Sequence, residues 1–583
     1  MRKRKLSVAI VVLMIASVLL GCSSSAPGSQ NSGQDDVTDA APTAGKGDTT
    51  TNISSSADAS QSIYAGRGMD ATINPNVTAY VSDPPQGMTD TAAGDGKTLT
   101  IAQGGEPNIL YPQNQNIMAT AVICQQIYEP LFRYNCFTDE YESLFAESWE
   151  QVDSTCLRIN LRKGVKCHAG YEMTANDVLW TLTQGYESPM SNWIFGFFSP
   201  ELSKVIDDYT IEIRTEEPFG PWLTYLSNWS VGGIVNRQAY EEQTPDDYAR
   251  NPTGGAGPWE FVEWIAGDRI ILKRFEDYYG EKPYYENLII RNIPDDVTRT
   301  LSLEAGEVDA IITVDTANAQ AIIDSPAANL YSMPSWQLIY CGFNLVDSSK
   351  PWANQKVRDA MYYALDIDTM TPIAFDGWAI RADGYFPPSQ KCYAPIKEED
   401  KEKYAYNLEK AKQLMIEAGY PDGFSMRLYT CDTIAWMNLT EMVQNAWAAI
   451  GIDAAVSVYD QNAHWDLVYA GDFDAFIARH TSHGNDGNYM FNKLISWGTG
   501  SSNPGKYNSP EFDDLMTQAM QSINDDFRYE CYHRVNDLIR EEKPWINLAN
   551  PSMTYGCRST LQGVYPSAPG LMDARYLRPI TVE

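Results

Sequence analysis

Residues 426 to 459 most narrowly limit what this chain can fold into. Met426–Thr430 reads as a strand, Trp436 to Ile450 as a helix, and Asp453–Tyr459 as a strand again. A strand–helix–strand unit needs a parallel pair with a right-handed crossover, and so an α/β layer. The same mixture recurs elsewhere. Thr98–Gln103 reads as a strand, and Cys156–Arg162 alternates Leu157, Ile159 and Leu161 inward before a Lys163-Gly164 turn. Thr174 to Asp177 resembles a capping box with Asp in place of Glu, and Val178 and Leu182 then share a helix face. Thr210–Thr215 alternates again. Asn354 and Asn407 can each cap an amphipathic helix, the second stopped by Gly419, and Ser509-Pro510-Glu511 starts another. No short-period repeat is evident.

Composition sets the scale. With 583 residues, 44% of them hydrophobic, the chain predicts about three structural units or two large lobes with real cores. Asp and Glu number 76 against 43 Lys and Arg, a net charge of −33. Such a chain repels phosphate backbones, which excludes nucleic acid as a partner. It favours cationic or zwitterionic ligands weakly, because salt screens the field. The simpler meaning of the charge is solubility.

The first 21 residues read as an export signal. Met1 to Lys5 is basic, and Leu6–Leu20 is a 15-residue apolar run broken only by Ser7 and Ser17, short of the ~20 residues a membrane span needs. Leu19-Leu20-Gly21-Cys22 resembles a bacterial lipoprotein signal, in which Cys22 would carry the lipid; Leu20 is bulkier than the small residue often found there. Residues 22–96 form a Ser/Thr/Gly/Ala/Asp-rich tether. As a flexible coil it would span about 45–50 Å. Nine further cysteines include no C-x-x-C. Several, such as Cys124, sit in apolar company and read as small buried hydrophobes.

No motif for a Ser nucleophile, a zinc protease, a phosphate loop or a dinucleotide site is present, and nothing calls for a cofactor. His480 and His483 lie three apart after the strand Phe473–Ala478, with Asp486 as a conceivable third metal ligand. The alternative is an ordinary polar loop, and no metal site is assigned.

Several segments taken in order resemble the extracellular solute-binding proteins of family 5, the peptide, dipeptide and nickel receptors of ABC importers. They are Ala146-Glu-Ser-Trp149, Leu161-Arg-Lys-Gly-Val165 through His168-Ala-Gly170 and Thr174 to Val178, then Gly257-Pro-Trp-Glu-Phe261, Tyr278-Tyr279-Gly280, Gly306-Glu307-Val308-Asp309, Asn354 to Ala360, Glu409 to Tyr420, and Gly451-Ile452. Cys167 stands where an aromatic is usual. The resemblance runs from about residue 97 to the end.

It implies a two-lobed periplasmic-binding-protein fold of type II, with an extra subdomain inserted in lobe I and the ligand between the lobes. Lobe I would be 97–340 with the insert at about 112–250, lobe II 341–540, and 541–583 the return to lobe I. The crossings would fall near Ile339–Asn344 and Glu541–Leu548. Ligand would act by shifting an open–closed equilibrium.

Peptide binders of this family commonly hold the ligand ammonium with an Asp in the loop after the strand matching Phe473–Ala478. Alignment puts His483 there and Asp486 at a second acidic position. Dipeptide receptors also place a carboxylate-binding Arg in the loop that here reads Thr430-Cys-Asp432-Thr-Ile-Ala-Trp436, without an Arg. Neither dipeptide anchor is found at its aligned position, which favours longer peptides held by main-chain bonds. The ligand-binding candidates are therefore His480, Thr481, Ser482, His483, Asp486, Asp432, Trp436, Trp378, Trp336 and, for an anionic group, Arg381. No residue is assigned a catalytic role. The sequence thus predicts a monomeric, lipid-anchored receptor on the outer membrane face, passing oligopeptides to permease subunits. An oligosaccharide or metal-chelate receptor and a surface hydrolase are the alternatives.

Overall fold

The computed structural model describes residues 94–580, apart from 116, 136–139, 483, 492–493, 497–502 and 565–569. The export signal 1–21, Cys22, the tether up to residue 93 and His483 lie outside the described residues. Among those described, no helix is long and apolar enough to cross a membrane.

One strand organises the molecule. Trp545–Arg558 runs for 14 residues, well beyond the usual strand length, because two sheets share it. Its first part pairs with Gln337–Phe343, from Gly342 opposite Trp545 to Ile339 opposite Ala549. Its second part pairs with Ala328–Pro334, from Pro334 opposite Ser552 to Ala328 opposite Arg558, and with Ala310–Ile312. The chain thus changes sheet at residues 335–336 and again near 549–552. Both places differ from the crossings expected at Ile339–Asn344 and Glu541–Leu548. The reason for the second is local: Pro544 follows the end of the helix Asp525–Glu542, where Lys543 turns left-handed at φ 47°, so it stops a helix and leaves the strand intact.

In the first sheet, Gly94–Gln103 lies parallel to both Tyr285–Asn292 and Ala310–Ile312, and the strands Arg269–Arg274 and Trp259–Ile265 extend the edge. Leu99 and Ile101 enter one core with Leu288 and Ile290, while Ala102 and Ile311 face a second. In the other sheet, Phe424–Cys431 pairs in parallel with Ile452–Tyr459 and with Ala475–Thr481. The predicted crossover helix is Ile434–Ala448, burying Leu439, Val443 and Trp447. Gln337–Phe343 is buried at every position because helices cover both faces.

A third, antiparallel sheet of Ala146–Asp153, Cys156–Leu161, Thr210–Arg214 and Lys204–Asp207 is packed by the helix Ala175–Glu187 through Val178 and Leu182. The capping box expected there forms: the Asp177 carboxylate accepts from the Thr174 backbone N–H at 2.7 Å and hydroxyl at 3.0 Å. Asn354 and Asn407 cap their helices, accepting from the N–H of Lys356 and Lys410. The eight described cysteines after Cys22 are all buried, as small hydrophobes would be.

Candidate functional site

Strand direction locates the site. In one sheet the carboxyl ends are Cys431, Tyr459 and Thr481; in the other they are Gln103, Asn292 and Ile312. Both sets point toward the shared segment 549–554, since Ile312 sits opposite Tyr555 and Gln337 opposite Thr481. Open α/β sheets take ligands outside their carboxyl ends, so two such edges meet around one cleft.

The loop after Ala475–Thr481 forms one wall. Ser482 donates its N–H to the Trp336 carbonyl at 2.9 Å and its hydroxyl to the Gly484 carbonyl at 2.7 Å. The Gln390 amide also donates to the Gly484 carbonyl, at 2.9 Å. Asp486 is buried with Arg528 in an ion pair, accepts from the Tyr532 hydroxyl at 2.7 Å and caps the next turn through the Asn488 N–H at 3.0 Å. Burial opposes the Arg528 charge, but the Asp486 carboxylate outweighs it and holds the guanidinium above its ordinary pKa. Asp486 therefore fixes the loop to the helix Asp525–Glu542.

The opposite wall comes from the antiparallel sheet's connections. Tyr489 stacks on Tyr225 with ring centroids 4.5 Å apart, and Asn488 donates to the Tyr225 hydroxyl at 3.2 Å. Gly220 donates its N–H to the Met520 carbonyl at 2.8 Å. The walls approach too closely for side chains at two points. A methyl at Gly484 would strike the Thr224 methyl and come within 2.6 Å of the Tyr489 ring, and one at Gly220 would strike the Ser522 carbonyl. Beside these contacts lies an aromatic cleft of about 500 Å³, lined by Trp193, Phe197, Phe219, Tyr225, Asn488 and Met520, with Glu216 and Glu217 on its wall.

The residues singled out from the sequence divide. His480, Thr481, Ser482, Asp486 and Trp336 come together at the crossing. His480 is largely buried opposite Leu338, and Thr481 is half-buried opposite Gln337. Trp336 is buried 5.5 Å from the Tyr134 ring, and its indole N–H has no partner among the described residues. Trp436 lies buried in the core beneath the loop it ends, while Asp432 is exposed. Trp378 packs behind the crossing against Ala102, Leu303 and Ile311. The Arg381 guanidinium is engaged by Asp368 at 2.7 Å, the Tyr362 hydroxyl at 2.9 Å and the Tyr404 carbonyl at 3.0 Å. No group of three His, Cys, Asp or Glu among the described residues could hold a metal ion.

Sequence reasoning did not single out the opposing aromatics, which come from separate stretches of chain, Trp193 and Phe197 on one and Phe219 and Tyr225 on another.

Residues 140–502 match the profile of the bacterial extracellular solute-binding proteins, family 5. The chain is 27% identical over 480 residues to heme-binding protein A of Haemophilus influenzae, covering 78% of this chain and 86% of that one. It is 26% identical over 510 residues to the dipeptide-binding protein of Escherichia coli K12, covering 82% and 93%. Among solved structures, an ABC transporter substrate-binding protein of Listeria monocytogenes superposes with a TM-score of 0.75 at 21% identity, over 84% of this chain and all of the other. A periplasmic binding protein of Helicobacter pylori in complex with the peptide STSA gives 0.70 at 24%, over 83% and 98%. These two establish the shared two-lobed fold.

Proposed function

Because this chain belongs to the bacterial extracellular solute-binding proteins of family 5, we propose that it captures oligopeptides by closing its lobes and delivers them to the permease of an ABC importer. The observation that carries this is the meeting of the 482–489 loop with Thr224 and Tyr225 beside an aromatic-lined cleft of about 500 Å³. Tyr489, from the loop after the lobe II strand Ala475–Thr481, is seated in the core of the antiparallel sheet beside Tyr225, a contact made only when the lobes are together, which is how a ligand touching both would shift the equilibrium. Unequal, apolar side chains suit such a cleft, while main-chain hydrogen bonds from the sheet edges supply affinity that does not depend on sequence.

On this reading lobe I takes residues from 97 to the crossing at 335–336 with an insert near 112–250, lobe II takes the chain from 337 to about 549, and the rest returns to lobe I. Cys22 carries the lipid, the tether holds a monomer clear of the membrane, and no covalent step is required. Heme remains a second ligand to test, since a relative of comparable identity is named for it.

A thermal-shift screen of the full chain tests the proposal, with peptides of two to eight residues, oligosaccharides, hemin, and nickel with histidine. A ligand at ~100 times its Kd stabilises the folded state by about 2.7 kcal/mol. A shift with longer peptides is expected. A shift only with sugars, hemin or nickel would replace the ligand class, and cleavage of a panel member would point to an enzyme.

A further inference from the structure

The cleft of about 500 Å³ is aromatic on most sides and acidic on one. Phe197 and Phe219 stack with ring centroids 4.5 Å apart, Tyr225 meets Phe219 edge-on at 5.1 Å, and Trp193 meets Tyr489 edge-on at 6.4 Å. Glu216 and Glu217 lie in the bend that leads from the strand Thr210–Arg214 to Phe219. Thr215 fixes that bend, its hydroxyl donating to the Glu217 carbonyl at 2.6 Å.

Three observations give this cavity a ligand chemistry. First, no Lys, Arg or His lines it among the described residues. Second, the nearby cations are engaged elsewhere. Arg158, Lys204 and Arg214 all converge on Glu212, and Arg528 holds Asp486, so Glu216 and Glu217 keep no ion pair among the described residues. Third, Asn488 lines the cleft with only 4% of its surface exposed. Its amide N–H donates to the Tyr225 hydroxyl at 3.2 Å, and its Oδ1 accepts from no described residue. A buried acceptor left open in this way calls for a donor.

We propose that this cleft is a subsite for a basic side chain of the bound peptide, arginine before lysine, with Glu216 and Glu217 as its counter-charges and Asn488 as an acceptor. The claim rests on the peptide-receptor reading and narrows the apolar preference that the rings alone suggest. Ring faces attract a cation, and they do so more strongly once water is excluded. A guanidinium is flat, weakly hydrated and carries five N–H donors, so it can stack on a ring while bonding a carboxylate and Asn488 together. An ammonium is compact and strongly hydrated, and loses more on entering an aromatic box. An apolar side chain would cover Asn488 and dehydrate the two glutamates without replacing their hydrogen bonds.

The test uses the full chain and two hexapeptide libraries that differ at one residue, arginine in one and citrulline, its neutral isostere, in the other. Both carry the same free termini, so only the side-chain charge differs. Retained peptides are quantified by mass spectrometry. Wild type is expected to favour arginine roughly ten- to hundredfold, the scale of one charge-assisted hydrogen bond. Glu216→Gln/Glu217→Gln should erase the preference, with an unfolding midpoint like wild type because neither carboxylate has an ion pair to lose. Glu398→Gln/Glu399→Gln removes the same charge from outside the cleft and should keep it, which separates the subsite from the acidity of the whole chain. Equal retention of the two libraries by wild type, a preference that survives Glu216→Gln/Glu217→Gln, or one lost in Glu398→Gln/Glu399→Gln overturns the proposal. Retention of neither library overturns the peptide reading instead, and N-acetyl-arginine amide then decides the cleft by itself in a calorimetric titration. Heat that disappears in Glu216→Gln/Glu217→Gln supports the subsite. No binding, or binding unchanged in that variant, refutes it.

Discussion

Closure should be sensitive to a single methyl group at Gly484. This glycine does not need a left-handed backbone, so alanine is compatible with the loop itself, and the conflict is with what faces it. The added carbon would strike the Thr224 methyl and lie 2.6 Å from Tyr489, distances that ordinary packing does not allow. Thr224 belongs to the opposite wall, so the walls must part. Overpacking of this kind costs about 1–3 kcal/mol. If the cost falls on the closed state, Kd for a stabilising peptide rises about 5- to 150-fold. Isothermal calorimetry of Gly484→Ala reads this directly. Thr224→Ser removes the offending methyl yet keeps the hydroxyl bonded to Tyr141 at 2.5 Å, so the double variant should recover part of the affinity. Unchanged affinity in Gly484→Ala would refute the idea that these walls meet in the ligand-bound form.

Three further outcomes follow from the same geometry. Arg528→Met leaves the Asp486 carboxylate buried without its ion pair and should destabilise the fold by about 3–5 kcal/mol in urea titration; a loss under 1 kcal/mol would mean the pair is dispensable. His464 is fully buried against Trp465 and Phe476, neither ring nitrogen has a partner among the described residues, and burial lowers its pKa to about 4. The unfolded chain binds that proton near pH 6.5, so stability present above pH 6.5 is lost as pH falls toward 4; His464→Phe should flatten the thermal midpoint over that window. A thiol reagent should leave the eight described cysteines after Cys22 unmodified in the native state and reach them in denaturant, as mapped by mass spectrometry.

Local rules made much of the architecture legible. The strand–helix–strand unit appears with its parallel register, Met426 beside Ala454, because period and length agreed there. The Asn354 and Asn407 caps formed because a short polar side chain before an amphipathic run has few other uses. The crossings were harder to place, since a strand shared by two sheets looks in sequence like one apolar run, and Pro544 could equally end a helix. The chemistry of the candidate site was less legible. Ser482 lies beside the sheet crossing, bonded to the Trp336 carbonyl, but Asp486 is taken by Arg528, a residue 42 positions away whose partner no local pattern reveals. Arg381 is likewise engaged by Asp368 and Tyr362.

Hydrogen exchange with and without the peptide that most stabilises the protein tests the central claim most directly. The account predicts slower exchange in residues 220–228 and in 484–489 together, because the two walls close on one ligand. Protection confined to one wall, or none at either, would contradict capture between the lobes.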